Sequence, residues 1–258
     1  MIQIRTTEEI EILRENNLLV SKTLAQLAEW IAPGVTTDKL DKIAYEFIHD
    51  NGGQSGFLGY QGYPKTLCTS VNEQVVHGIP SGYQLKEGDI VSIDCGVYKN
   101  KYYGDSAYTF AVGNISREKQ KLLDVTRKSL LLGVEMAVEG NRIGDIGYAV
   151  QTYCEANDFS VVRELVGHGL GMNLHEAPEV PNYGRRGKGA KLAEGMVICI
   201  EPMINMGRKE IVQESDGWTI RTSDRKPSAH YELAIAIRKG EADKLSTFEF
   251  IEEIINKK

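Results

Sequence analysis

The sequence predicts an α+β protein of two related halves, in which helices cover one face of a mostly antiparallel sheet. Two observations point to this fold: patterns typical of helices and then of strands follow one another twice along the chain, and a ten-residue stretch of the first half recurs in the second. With 258 residues and a hydrophobic content of 41%, the chain is long enough to bury a full core. We therefore expect a single domain over residues 1–258, with halves of roughly 1–113 and 114–258.

The helices and strands are predicted from apolar periodicity and from signals at their ends. Thr6 and Glu9 form a capping box, and apolar residues then recur at spacings of 3, 4 and 7 until Pro33 ends the helix. The same criteria predict helices at about residues 6–31, 40–47, 116–136 and 146–153, and strands at about residues 66–71, 90–97, 106–112, 196–204, 209–214, 218–223 and 230–237.

The internal repeat is clearest where two predicted strands each lead to a carboxylate. Residues 85–94 (LKEGDIVSID) align without a gap with residues 192–201 (LAEGMVICIE), so that Asp94 matches Glu201 at an offset of 107 residues. Upstream, residues 33–40 resemble residues 139–146 at an offset of 106. Each copy is typical of a turn that leads into a buried strand. A pseudo-twofold relation would place both carboxylates on related strands that face a common centre.

Charge and cysteine usage narrow the kind of partner. A formal net charge of −6 and a pI near 5.5 argue against a nucleic acid substrate. The cysteines lack any C-x-x-C spacing and predict buried thiols in a reducing compartment. No apolar run approaches the roughly 20 residues that cross a bilayer, and the N-terminal residues do not resemble a signal peptide. We expect a soluble cytoplasmic protein without a membrane partner.

Four carboxylates lie where apolar residues would be expected, within or beside strand patterns: Asp94, Asp105, Glu201 and Glu232. Burying a lone charged carboxylate costs on the order of several kcal/mol, so buried acids are normally paired or bound to a metal ion. For each one alone, a strand-end cap or a salt bridge is an equally good interpretation. Because few Lys or Arg residues lie beside them in the sequence, the four together indicate a cation site.

Histidines add to this set. His168 lies between two glycines, and His77 and His175 lie in predicted loops, whereas His49 and His230 are expected to be structural. One imidazole with four carboxylates suits a pair of Mn, Fe, Co or Zn ions better than a structural zinc site. Two divalent ions supply a hydroxide nucleophile near neutral pH. The predicted chemistry is therefore metal-assisted hydrolysis of an amide or ester.

Six short motifs together carry a family resemblance: residues 59–64 (GYQGYP), 72–80 (NEQVVHGIP), 103–106 (YGDS), 167–171 (GHGLG), 200–203 (IEPM) and 216–219 (DGWT). With them the chain resembles the type I methionine aminopeptidases of the pita-bread metallohydrolase family over essentially its whole length. The resemblance implies the pita-bread fold in a single catalytic domain. It also implies removal of the N-terminal methionine from nascent proteins and peptides, with a small second residue preferred.

The resemblance also implies roles for individual residues. The ligands of two divalent ions would be Asp94, Asp105, His168, Glu201 and Glu232, with Asp105 and Glu232 bridging. Glu201 would act as general base, His175 would stabilise the oxyanion, and His77 would contact the substrate backbone or leaving group. The S1 pocket would consist of Phe57, Tyr60, Tyr63, Cys68, Leu174 and Trp218, and the weaker alternative is that these aromatic residues are ordinary core. The expected partners are the N-termini of nascent polypeptides, with ribosome association left open, and the expected state is a monomer.

Three departures from the family pattern leave the implied ligands intact. Family members commonly have His where Leu233 stands, often have Cys in place of Val76, and in many cases have Thr in place of Gly96. Activity is expected to survive these changes.

Three alternative functions remain open: a prolidase or Xaa-Pro aminopeptidase, which shares the ligands; a pita-bread protein that binds partners without catalysis; and a mononuclear iron enzyme, which would need two His and one carboxylate.

Overall fold

The computed structural model describes residues 1–257, in which helices pack against antiparallel strands, as the sequence predicted. The α-helices in this range are α1 (Thr7–Ala28), α2 (Thr37–Asp50), α3 (Arg117–Met136), α4 (Ile143–Glu155) and α5 (Glu249–Ile255). The strands are β1 (Gln54–Ser55), β2 (Leu67–Val71), β3 (Gln74–Val76), β4 (Ile90–Lys99), β5 (Tyr102–Ala111), β6 (Ser160–Val161), β7 (Gly167–Gly169), β8 (Glu176–Val180), β9 (Val197–Ile200), β10 (Met203–Asn205), β11 (Ile211–Gln213), β12 (Ile220–Thr222), β13 (Ser228–His230), β14 (Leu233–Ala236) and β15 (Asp243–Lys244).

The strands form four sheets, and every ladder within residues 1–257 is antiparallel. In the first, β4 pairs with β5 along one edge and with β1 and β2 along the other. The largest has the order β15-β14-β9-β7-β8. Two three-stranded sheets, β13-β10-β6 and β11-β12-β3, complete the arrangement. No helix in the described range is long and apolar enough to span a membrane.

The first helix begins as predicted and ends earlier than predicted. The Thr6 hydroxyl accepts a hydrogen bond from the Glu9 amide at 3.2 Å, and the Glu9 carboxylate accepts one from the Thr6 amide at 2.8 Å, so the capping box is confirmed. Helix α1 ends at Ala28. Ile31 packs against the core from the following turn, which explains why the apolar pattern extends beyond the helix itself.

The backbone repeats the same pairing in both parts of the chain. Thr36 forms an isolated antiparallel bridge with Gln84, and Arg142 forms the equivalent bridge with Lys191. Arg142 follows Thr36 by 106 residues and Lys191 follows Gln84 by 107, which are the offsets of the sequence repeat. In each case the bridge ties the segment before the second helix of a helix pair to the segment before a central strand, so the two αβ units are built alike.

Two long predicted strands are each divided into two shorter ones beside a carboxylate. The pattern at 196–204 divides into β9 and β10 at Glu201 and Pro202, and that at 230–237 divides into β13 and β14 at Tyr231 and Glu232. Pro202 has no N–H to donate to a ladder, and the Glu232 amide donates at 2.9 Å to the carbonyl of Ala107 in β5. At each break the chain crosses between the five-stranded sheet and the sheet that contains β10 and β13, from β9 to β10 at the first and from β13 to β14 at the second.

In the described residues the interior contains a main apolar cluster and two smaller ones. The main cluster joins the inner faces of α1 to α4 to the sheets. The second cluster begins with Ile10 and Leu13 of α1 and continues through Cys68, Leu170 and Cys199, and the third lies around β3 and β10. In the second cluster, the Cys199 sulfur lies within 4.8 Å of a carboxylate oxygen of Asp105 and of Glu232.

Candidate metal centre

Strands β4 and β5 bring the first two predicted ligands onto one face. In their ladder Asp94 is opposite Ala107, and Asp105 is opposite Gly96. Side chains two residues apart on a strand share a face, so Asp94 and Asp105 are diagonal neighbours. The amide of Asp105 donates to the Asn17 side-chain oxygen at 3.0 Å, which fixes the end of β5 against α1.

The other two carboxylates come from the strand breaks. Glu201 follows β9 directly and Glu232 precedes β14, and these two strands pair with Leu233 opposite Ile200. The Ser106 hydroxyl donates to the Glu232 carbonyl at 2.6 Å, which links this break to β5. Residues that are remote in sequence therefore present carboxylates to one centre, as the repeat predicted for Asp94 and Glu201.

His168 completes the centre from the short strand β7. A Cβ on Gly167 would lie 2.3 Å from the Cys199 carbonyl, and one on Gly169 would lie 2.4 Å from the Ala177 carbonyl. The flanking glycines therefore serve close strand packing on both sides. The Nδ1 atom of His168 lies 2.9 Å from the Gly169 carbonyl. Donation to that carbonyl leaves Nε2 with a free lone pair, the arrangement of a metal-binding imidazole.

The donor atoms fit a divalent cation. His168 Nε2 lies 3.7 Å from Asp105 Oδ2 and 3.5 Å from Glu201 Oε1. Ligand atoms of Asp105, His168 and Glu232 lie within 4.8 Å of one another, and the Cys199 sulfur lies within the same distance. One buried oxygen each of Asp94, Asp105 and Glu232 has no hydrogen-bond partner in the described residues. Unpaired buried carboxylate oxygens are costly unless a cation compensates them.

The pKa shifts of the four carboxylates also indicate a cation site. Burial, followed by the neighbouring charges of Glu232, Asp94 and Glu201, raises the pKa of Asp105 well above its usual range. Burial likewise raises the pKa values of Glu201 and Glu232, and it raises that of Asp94 to about 6. Of the ion pairs in residues 1–257, those that involve these four acids are made with His168 and with one further histidine, and none with Lys or Arg. The cluster therefore lacks the positive charge that would hold it ionised.

Replacement of Asp94 tests this electrostatic description in protein stripped of metal. Because its pKa rises from 3.8 to about 6 on folding, Asp94 does not lower the free energy of unfolding below about pH 4. It lowers that free energy progressively between about pH 4 and pH 6, and the loss is complete above pH 6. At about 1.4 kcal/mol per pKa unit, the loss is on the order of a few kcal/mol. We expect the stability of Asp94→Asn relative to the parent to increase between pH 4 and pH 7.5 in chelator, measured by urea unfolding.

A matched control is Asp124→Asn, which removes an exposed carboxylate from α3. A constant difference between Asp94→Asn and the parent across this pH range would contradict the proposed origin of the pKa shift.

Two further histidines border the same cavity. His77 follows β3 with a left-handed φ of 59°, an uncommon conformation for a residue other than glycine. Burial, together with the nearby His230 and His175, lowers its pKa to about 4, so its imidazole is neutral near pH 7. His175 lies in the β7–β8 loop with its Nδ1 atom 2.9 Å from the Tyr60 hydroxyl. Partial burial lowers its pKa as well.

The predicted pocket residues surround one cavity of about 180 Å³ next to the carboxylates. Tyr63 and Trp218 meet edge to face with ring centroids 5.0 Å apart, and the Tyr63 hydroxyl lies 2.9 Å from the Leu67 carbonyl and 3.1 Å from that of Gly78. The cavity is lined by Phe57, Tyr60, Gln61, Tyr63, Cys68, His77, Asp94, Asp105, His168, Leu174, His175, Glu201, Trp218 and Glu232. Every predicted site residue is among them, and Gln61 is the one lining residue that the prediction omitted.

The structure shows what surrounds the three residues that depart from the family pattern. A Cβ on Gly96 would lie 2.5 Å from the Phe57 ring, so the missing side chain makes room for an aromatic wall of the cavity. Val76 is buried in β3 opposite Ile220, and Leu233 is buried in β14. None of the three removes a carboxylate or imidazole from the cavity.

Sequence reasoning missed several residues that support the centre. Asn17 holds the Asp105 amide, and the Asn182 amide donates to the Glu201 carbonyl at 3.1 Å. The sequence signal for such supporting residues is a polar side chain at a position that the apolar pattern marks as buried. Asn17, fully buried among the apolar residues of α1, carries this signal. Cys199 was predicted only as a buried thiol, although it shares a strand face with Glu201 two residues later.

A set of largely buried carboxylates with one imidazole, on antiparallel strands beside an apolar cavity, is typical of a metal-dependent hydrolase. The model of metallopeptidase family M24 matches residues 11–238, and the chain belongs to this family.

Similar proteins of known identity extend over nearly the whole chain. A methionine aminopeptidase of Clostridium perfringens is 52% identical over 237 residues, which cover 92% of this chain and 95% of that protein. The crystal structure of a methionine aminopeptidase from Rickettsia prowazekii superimposes with a TM-score of 0.94 at 38% identity, covering 96% of this chain and 100% of that one. The predicted pita-bread fold is thereby confirmed. A prolidase from Pyrococcus furiosus shares the fold at 23% identity and a TM-score of 0.75, but this chain covers only 66% of it.

Proposed function

We propose that this protein is a dimetal methionine aminopeptidase that hydrolyses the N-terminal methionine of nascent proteins and peptides. One observation carries the proposal: the acid-rich centre opens directly into an apolar, aromatic-walled cavity in a chain that is similar to methionine aminopeptidases over almost all of its length. The two active parts of such an enzyme, a hydrolytic centre and a side-chain pocket, therefore share one cavity.

The proposed ligands of two divalent ions, Co, Mn, Fe or Zn, are Asp94, Asp105, His168, Glu201 and Glu232, with Asp105 and Glu232 bridging. Their unpaired buried oxygens and the free Nε2 lone pair of His168 support this assignment. When bound, such ions supply a nucleophile near neutral pH and polarise the scissile carbonyl.

Side chains of the protein supply the remaining catalytic roles. Glu201, at the edge of the cluster, is the proposed general base, and it holds the proton that the attacking water gives up. The Tyr60 hydroxyl can donate to Nδ1 of His175. The imidazole then keeps its proton on Nε2, where it can donate to the developing oxyanion. His77, neutral because burial lowers its pKa to about 4, is placed to bind the peptide backbone or the leaving amine.

The proposed S1 pocket suits a thioether side chain. Phe57, Tyr63 and Trp218 form rigid walls, and Leu174 adds apolar surface. Burial raises the pKa of the Cys68 thiol well above its usual range, so Cys68 remains a neutral, polarisable wall. Methionine sulfur packs favourably against aromatic rings. The alternative, that these aromatics are ordinary core, leaves unexplained why they border a cavity that also contains the carboxylates.

We propose further that residues 1–258 form one catalytic domain, with halves of roughly 1–113 and 114–258, that works as a monomer in the cytoplasm on nascent chains. Support comes from the contribution of ligands by both halves to a single cavity. Association with the ribosome would follow from that substrate, and co-sedimentation of the protein with ribosomes tests it.

A panel of tripeptides tests the substrate assignment. We expect Met-Ala-Ser to be cleaved faster than Leu-Ala-Ser, since the loss of shape fit to the pocket is worth about 1–3 kcal/mol. We also expect Met-X-Ser turnover to fall as the second residue grows. Chelator should abolish every reaction, and a divalent ion should restore it. Release of the N-terminal residue is the measurement.

The same panel separates the other readings of the sequence. Faster turnover of Ala-Pro-Ser than of Met-Ala-Ser would favour a prolidase-like activity and contradict the methionine assignment. Absence of cleavage with two ions bound would favour a partner-binding protein.

A further inference from the structure

His230, which the sequence predicts to be merely structural, lies directly behind Glu201. It is the last residue of β13 and is 1% exposed. Its Nε2 atom lies 3.4 Å from Glu201 Oε2 without a hydrogen bond between them, and this buried nitrogen has no hydrogen-bond partner in the described residues. The mechanism above does not use this buried imidazole.

The two oxygens of Glu201 face two different imidazoles. Oε1 faces Nε2 of His168 at 3.5 Å, and Oε2 faces Nε2 of His230 at 3.4 Å. Donation from Nδ1 of His168 to the Gly169 carbonyl leaves its Nε2 without a proton in the neutral ring. Nε2 of His168 therefore cannot donate to Glu201, whereas Nε2 of His230 can.

The backbone holds His230 in this place. The Thr109 hydroxyl accepts from the His230 amide at 3.0 Å and donates to its carbonyl at 2.7 Å. His230 is opposite Met203 in the β10–β13 ladder, two residues beyond Glu201. The separation of imidazole and carboxylate is therefore set by paired strands, and not by a free loop.

His230 differs from the five proposed ligands in position. All five line the cavity, and His230 does not. An imidazole on the protected side of a carboxylate can orient that carboxylate, but it does not share the space in which the ions would sit. Buried groups that hydrogen-bond to a metal ligand typically contribute about 10–100-fold to metal affinity or activity.

We propose that His230 is a positioning residue: when the metal centre is occupied, it donates its unpartnered Nε2 proton to Glu201 Oε2 and so reserves Oε1 for the metal centre. This inference rests on the proposed dimetal function. By holding the carboxylate in one rotation, His230 keeps Glu201 coordinated through a single oxygen and aligned for its role as proton acceptor.

The test compares a donor and a non-donor at this position. His230→Gln can place an amide donor near the position of Nε2, whereas His230→Met fills similar space without a donor. The probe is Co²⁺ titrated into stripped protein, with affinity and the visible absorption spectrum as readouts. Turnover of Met-Ala-Ser is measured separately. His49→Met, which removes the exposed histidine of α2, is the matched control.

For His230→Met we expect Co²⁺ affinity to fall about 10–100-fold, and kcat to fall with KM little changed. We also expect its Co²⁺ absorption to weaken as Glu201 becomes free to coordinate through both oxygens. His230→Gln should recover affinity, spectrum and kcat to within about threefold, and His49→Met should match the parent. His230→Leu replaces His230→Met if the latter fails to fold.

Three outcomes would overturn the proposal. Parental affinity and spectrum in His230→Met would show that Glu201 needs no such partner. A folded His230→Gln as defective as His230→Met would assign the effect to ring packing. Loss of one Co²⁺ equivalent in both variants would make His230 a ligand. Because Co²⁺ binding is measured without substrate, failure of the methionine assignment alone would leave these results interpretable.

Discussion

Replacing Asp105 by alanine is expected to abolish hydrolysis of Met-Ala-Ser, with kcat lower by at least about 10³-fold, and to leave one tightly bound divalent ion instead of two. A bridging carboxylate serves both ions, so its loss removes the second ion and the nucleophile that the pair supplies. Asp105 is 4% exposed and lies among Glu232, Asp94 and Glu201, so no solvent-exposed group can take its place. Metal content after gel filtration and peptide turnover are the measurements.

The companion variants separate metal binding from folding. Glu232→Ala should behave like Asp105→Ala, whereas Asp124→Ala on the exposed face of α3 should keep both ions and parental turnover. In chelator, Asp105→Asn should be at least as stable as the parent, because it removes one of several mutually repelling buried carboxylates. Two tightly bound ions and normal turnover in Asp105→Ala would refute the five-ligand assignment.

Replacing His175 by alanine is expected to lower kcat by about 10²-fold or more while the metal content stays unchanged. The imidazole borders the cavity, but its Nδ1 atom is engaged with the Tyr60 hydroxyl. The effect should therefore fall on stabilisation of the transition state. Steady-state kinetics on Met-Ala-Ser, with metal analysis of the same samples, provide the measurement.

The loop around His175 is held in place from outside the site. Glu176 forms a largely buried ion pair with Arg5, and its other oxygen accepts from the Asn173 amide at 3.1 Å. This anchoring keeps the imidazole preorganised without a contribution from the ions. Tyr60→Phe, which removes only the hydroxyl, is the matched control and should cost less than His175→Ala. Loss of a metal ion in His175→Ala would instead identify His175 as a ligand.

Much of the fold could be predicted because its signals are local or repeated. The capping box of α1 requires only Thr6 and Glu9 to lie three residues apart. The repeat offset of about 107 residues pairs Asp94 with Glu201, and the bridges at Thr36 and Arg142 recur at the same spacing. Short strands such as β7, and the carboxylate-bearing breaks after β9 and before β14, escaped prediction. Their backbones bond to partners that are remote in sequence.

By itself, the sequence determined which side chains we propose for the chemistry: acids within or beside strand patterns, and histidines between glycines or in predicted loops. Only the tertiary structure decided how they meet. The ladder of β4 and β5 set the diagonal placement of Asp94 and Asp105, and packing put Phe57 in the space that Gly96 leaves open. Strand pairing also brought His230 behind Glu201. Periodicity shows which face of a strand is buried, but it does not show which strands adjoin or which atoms face one another across them.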